Sequence, residues 1–157
     1  MGFVVFFLLA WLVIFLFAGM KKKLTFVENT LVFLIILIVS INYSWIVIEE
    51  LKLIKLSHHY LNYTGYLLNR SVIIPMVTLI QLNLLCRCKT RWMKLTVMIT
   101  AVIFMMGVSF LSNFYSITEF QRWHYWMDGI YYFILYLIAF LSFRFFAKVT
   151  RNVVSYS

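Results

Sequence analysis

Apolar residues run along this chain in five stretches, each closed by a cluster of cations or a short polar loop. The first, residues 3–20, is almost unbroken and ends at Lys21, Lys22 and Lys23. The second covers 30–48 and stops at Glu49 and Glu50. At about 1.5 Å per residue, such stretches reach across a hydrocarbon core of about 30 Å, so each predicts a membrane-spanning helix. The third is short. Only 16 residues separate Arg70 from Arg87, about 24 Å of helix. A full span must therefore begin near Tyr66 and run over 66–85, which draws Arg70 about one turn inside the bilayer. Pro75 follows five residues on, lacks a backbone donor and predicts a kink. The fourth and fifth stretches, 95–117 and 129–147, need no such adjustment. Between the second and third, Lys52, Lys55 and His59 recur at i, i+3 and i+7, which predicts that the second helix continues along the membrane surface. Trp11, in mid-span, is expected to pack against another helix.

Composition narrows the fold class to one. Of the 157 residues, 64% are hydrophobic and 12% charged. Soluble domains carry about a quarter charged residues, and in water this chain would have nowhere to bury its apolar surface. The expectation is an all-α polytopic helix bundle, residues 1–157 forming one integral membrane domain.

The net charge of +9 does not point to nucleic acid, because the cations sit in short clusters at the ends of apolar runs. They orient the chain instead. Lys21, Lys22 and Lys23, then Arg87, Lys89, Arg91 and Lys94, then Arg144, Lys148 and Arg151 fall on one side, ten of the 14 cations. Lys52, Lys55, Arg70 and Arg122 fall on the other. The positive-inside rule then predicts an outside N-terminus and a cytoplasmic C-terminus. The charges follow the first apolar run, and Phe17 stands where a cleavage site needs a small residue, so a first span is expected rather than a signal peptide. Cys86 and Cys88, two apart on the cytoplasmic face, do not predict a disulfide. A composition rich in Lys, Asn and Ile suggests a bacterial plasma membrane.

With that topology the polar residues gather on the outer side. Ser109, Ser112, Asn113 and Ser116 fall at i, i+3, i+4 and i+7, one stripe of a helix. Asn42 with Glu49, and Asp128 with Tyr132 and Tyr136, share faces in the same way. With Arg70 they predict an outer-leaflet polar cluster, read first as hydrogen-bonded packing between helices and, in the alternative, as a ligand or ion site whose candidate residues are Glu49, Glu50, Arg70, Asn113, His124 and Asp128. Arg70 is expected to pair with Glu49 or Glu50, because an unpaired charge in hydrocarbon is costly. Adjacent His58 and His59 diverge on a helix, and His124 with Asp128 offers only an i, i+4 pair, so no metal site is predicted. No catalytic residue and no cofactor is predicted.

Phe120-Gln-Arg-Trp-His124 and His124-Tyr-Trp-Met-Asp128 resemble the FxxxH and HxxxD elements of CAAX-type intramembrane proteases, with Glu49-Glu50 similar to their paired glutamates. That resemblance implies an intramembrane enzyme. It covers about a dozen residues, shares one histidine between two motifs, and has Ile54 where the family places an arginine. Length and five spans also resemble the translocator family of tetrapyrrole-binding proteins, but this chain has one proline where that family has many.

The function expected is that of a small non-enzymatic integral membrane protein, an accessory, assembly or immunity-type partner of another membrane protein or of its own copies. The alternative is a small oligomeric transporter or channel working through the outer cluster. The protease-like enzyme comes third.

Overall fold

A computed structural model describes residues 2–56, 60–120 and 124–154. It has five helical segments long and apolar enough to cross a membrane, running over Gly2–Gly19, Phe26–Glu50, Tyr60–Arg87, Arg91–Phe114 and Tyr125–Lys148. The first is α1. The second is α2 (Phe26–Trp45) closed by a π-helical turn (Ile46–Glu50), and the third joins α3 (Tyr60–Leu68) to α4 (Ile74–Arg87) through a second π-turn (Asn69–Ile73). The fourth is α5 (Arg91–Phe114), and α6 (Tyr125–Val154) carries the fifth.

The α3–α4 segment is the axis of the bundle. In its most apolar stretch 56% of residues are buried, against 22–28% in the others, and α4 touches α1, α2, α5 and α6. Position explains the polarity. A helix enclosed by other helices can carry Asn69, Thr78, Gln81 and Asn83, all buried, where a lipid-facing helix would leave them without partners.

The chain passes up and down between two ends. At one lie Lys21–Lys23 and the Arg87–Lys94 loop, here called the basic end. At the other, β1 (Ile54–Leu56) pairs antiparallel with β2 (Thr118–Phe120), setting Ile54 against Phe120 and Lys55 against Glu119. This ribbon corrects one expectation: residues 52–56 do not extend the second helix. Lys52 takes φ 49°, which breaks the helix and turns the chain into a strand. His58 and His59 lie outside the described residues. The ribbon end is plugged by Ile117, fully buried, because two glycines leave room for it. A Cβ on Gly2 would come within 3.0 Å of Ile117 Cδ1, and one on Gly65 within 3.4 Å.

Three further expectations change. The second helix starts at Phe26 rather than 30, because Thr25 and Glu28 form a capping box: Thr25 Oγ1 accepts from Glu28 N (3.3 Å) and Thr25 N donates to Glu28 Oε2 (2.8 Å). Trp11 faces outward at 62% exposure, since α1 buries only its Gly2, Phe6, Ala10 and Val13 stripe. Ser116 has left α5, which ends at Phe114, and sits at φ 51°.

Candidate functional site

Burial of polar groups at the ribbon end is arranged around a chamber of about 70 Å³. Its wall includes Tyr43 and Ser44 of α2, Tyr66 of α3, Asn69 and Arg70 of the second π-turn, Ser109 and Ser112 of α5, and Asp128, Tyr131 and Tyr132 of α6. Ile54 and Thr118 line it from the ribbon. With the first π-turn and Ile74 of α4, nine elements converge on a space with room for a few waters or one small solute. Both π-turns border it through Val47, Ile48, Asn69 and Arg70, and such turns often mark functional positions in helices.

Pro75 accounts for the placement of Arg70. A proline ring clashes with the carbonyl four residues earlier, here that of Ser71. Widening the preceding turn relieves the clash, and Ile74 N–H accordingly donates to Asn69 O, five residues back. The kink expected at Pro75 is realised as this π-turn. It leaves the Arg70 carbonyl without a helical donor, because Ile74 N–H is committed and Pro75 has none. Ser40, fully buried on α2, supplies the missing donor: its hydroxyl donates to Arg70 O at 3.4 Å and accepts from Tyr131 Oη at 3.3 Å. Tyr131 also stacks on Tyr43, with ring centroids 3.8 Å apart and an 8° interplanar angle. One serine and one stacked pair therefore tie α2, the π-turn and α6 together beneath the chamber.

The remaining wall is held by paired hydroxyls. Ser109 Oγ and Tyr132 Oη lie 2.7 Å apart, and Thr118 Oγ1 donates to Ser112 Oγ at 3.0 Å. Two groups stand apart from this pattern. Arg70 Nε and Asn69 Oδ1 are buried and have no hydrogen-bond partner among the described residues. The Arg70 guanidinium instead lies over the Tyr66 ring, 5.7 Å from its centroid. A buried donor or acceptor left unpaired costs roughly 1–3 kcal/mol, so one guanidinium N–H and one amide oxygen at the cavity wall are chemically poised to receive something.

Of the sequence candidates, Arg70 and Asp128 line the chamber together and bring one charge of each sign. Glu49 and Glu50 are exposed on the first π-turn and do not line it. Asn42 is exposed as well and lies off the chamber wall, where its Nδ2 donates to its own helix at Ile38 O (2.8 Å). Asn113 Nδ2 donates to Tyr125 Oη (2.8 Å), outside the chamber. His124 is exposed just before α6. Of the FxxxH element, Gln121 to Trp123 lie outside the described residues. Cys86 and Cys88 are free thiols.

Sequence reasoning passed over Ser40, Tyr43 and Tyr131, and it passed over a second polar knot at the basic end. There Asn83, fully buried, uses its whole amide. Its Oδ1 accepts from Lys23 N (3.0 Å) and Leu24 N (3.2 Å); its Nδ2 donates to Asn29 Oδ1 (2.8 Å) and Leu79 O (3.0 Å). Asn29 Nδ2 in turn donates to Leu24 O (3.1 Å) and Thr25 O (3.0 Å). The signal was present as Asn29 and Asn83 in otherwise apolar runs, but only packing reveals that they meet. Between the knot and the chamber the bundle is filled by fully buried Ile36, Ile73, Leu82 and Leu135. Comparison with known protein families, curated proteins and solved structures finds nothing that matches this chain.

Proposed function

We propose that the chain is a small, non-enzymatic integral membrane protein that receives a small zwitterionic solute in its ribbon-end chamber and acts through that occupancy, not by conduction. Lys and Arg clustering supports a bilayer orientation with the basic end cytoplasmic and the ribbon outside. The observation that carries the reading is the unpaired, buried Arg70 Nε beside unpaired Asn69 Oδ1 at the chamber wall. Arg70 suits a carboxylate or another anionic group; Asn69 Oδ1 and the Asp128 carboxylate suit a cationic one. The apolar layer of Ile36, Ile73, Leu82 and Leu135 argues against a continuous polar path, which conduction would need.

The test uses detergent-purified protein for thermal shifts and liposomes for flux. Glycine represents the zwitterions, with acetate and methylammonium as single-charge controls. A solute at about a hundred times its Kd stabilises by about 2.7 kcal/mol, which is several degrees of Tm. Glycine should raise Tm where neither control does, Arg70→Met should abolish the shift, and liposomes should show no ion or proton flux. No shift with glycine, or a flux removed by Asp128→Asn, refutes the reading.

A further inference from the structure

Away from the chamber, near the basic end, α1 and α5 diverge across the face of α4 and leave a lateral cleft of about 330 Å³. Its walls are almost wholly apolar, with Leu12 and Leu16 on one side, Ala101 and Phe104 on the other, and Ile80 and Leu84 beneath. One buried polar group interrupts that floor. Gln81 is 6% exposed, lines the cleft, and its Nε2 has no hydrogen-bond partner among the described residues. Cations flank the cleft's basic-end rim on two of these helices: Arg87 follows Leu84 by one turn, and Lys94 precedes Val97 by one turn.

We infer that this cleft is a binding site for one anionic phospholipid, with its acyl chain along the apolar walls, its phosphate among the rim cations and an ester carbonyl accepting from Gln81 Nε2. Each part of the site answers one part of such a molecule. The apolar channel opens sideways, as an acyl chain requires. Charge complementarity selects an anionic headgroup over a neutral one, since basic pockets between membrane helices hold such headgroups. Gln81 lies six residues, about 9 Å of helix, inside Arg87, a depth within reach of the ester region and beyond that of the phosphate. A partner helix of ordinary apolar composition would leave Gln81 Nε2 unanswered. The inference shares with the proposed function only its bilayer premise and is independent of the chamber.

The experiment is native mass spectrometry of the detergent-purified full chain, titrated with phosphatidylglycerol or phosphatidylcholine of identical chains. The wild type should retain one phosphatidylglycerol in preference to phosphatidylcholine. Arg87→Gln with Lys94→Gln should erase that preference, each cation contributing roughly fivefold. Gln81→Leu should weaken retention roughly threefold or more while leaving lipid-free thermal stability unchanged or higher, because it removes an unpaired buried amide. That combination separates a lipid contact from a structural role. Ala101→Phe, which fills the cleft, should abolish retention. Equal retention of both lipids, no retained lipid, unaltered retention in Gln81→Leu, or a co-purifying protein in place of lipid each overturns the inference. Failure here with an intact glycine shift leaves the chamber reading standing, and the reverse holds as well.

Discussion

Replacing Asn83 with leucine is the sharpest probe of how this bundle is held together. The two side chains branch alike and leucine is the larger, so no cavity forms, and the change reads the lost hydrogen bonds together with some overpacking. Four are lost: from Lys23 N and Leu24 N, and to Asn29 Oδ1 and Leu79 O. They are not equivalent. Leu79 O retains its helical donor, and Lys23 is exposed, so its N–H can turn to water. Leu24 N and Asn29 Oδ1 belong to buried residues and are orphaned, at roughly 1–3 kcal/mol each. Leucine recovers part of that through its apolar surface. Interhelical bonds measured in membrane proteins average about 0.6 kcal/mol, which for the three bonds that leave α4 gives roughly 2 kcal/mol. The expected net loss is about 2–4 kcal/mol, read as equilibrium unfolding in mixed micelles titrated with a denaturing detergent. Asn29→Leu in the same background removes the orphaned acceptor, so the double variant should lie about 1 kcal/mol or more above additivity. A single-variant loss under about 0.5 kcal/mol, or strict additivity, would refute the network.

Ser40→Ala leaves the Arg70 carbonyl and the Tyr131 hydroxyl without their shared partner and should cost about 1–3 kcal/mol by the same titration. Gly65→Leu drives a side chain into Ile117 and the Phe3 backbone; a loss of roughly 1–3 kcal/mol is expected, and a neutral result would mean that the ribbon end is looser than described. In a background with both cysteines changed to serine, single cysteines at Lys22 and Thr90 should label only from the cytoplasmic side and one at Glu119 only from outside. External labelling at Thr90 would invert the proposed topology.

Much of the architecture could be read from the chain because spanning a bilayer is a one-dimensional demand. Length and hydropathy are enough to expect five helices, and span arithmetic was enough to pull Arg70 inside the third. What could not be read was who meets whom. In runs as uniformly apolar as Gly2–Gly19, no face stands out, so the inward position of Ala10 and the outward position of Trp11 are decided by neighbours. Side-chain stripes fail as well. Asn42 and Glu49 share i, i+7 spacing, yet both are exposed and neither reaches the chamber, which α2 meets through Tyr43 and Ser44 instead. Ser116 should have completed the Ser109 stripe, but α5 ends before it. Lys52 shows a third limit: cations at helical spacing carry no information when a positive φ breaks the helix first.

The Asn83 knot and the ribbon-end chamber treat buried polar groups in opposite ways, and that contrast argues most strongly for a function at the chamber. Both face the same physical demand, since amides and charges inside an apolar bundle must be answered or their desolvation cost stands. At the Asn83 knot the demand is met in full: Asn83 makes four bonds, and Asn29 makes the complementary ones. The fold can evidently saturate a buried amide when saturation serves stability alone. At the ribbon end it brings Ser109, Tyr132, Ser112 and Thr118 into pairs, yet leaves Arg70 Nε and Asn69 Oδ1 open beside a cavity. Packing economy would close that space with an apolar side chain. Instead Pro75 opens the helix there, and Ser40 is used to make the opened backbone tolerable. If Arg70 is held for binding rather than for stability, Arg70→Met, which removes a buried, unpaired guanidinium N–H at similar length, should stabilise the protein in the absence of solute. Loss of the glycine shift together with that gain would assign Arg70 to binding; a marked loss of stability would assign it to the bundle.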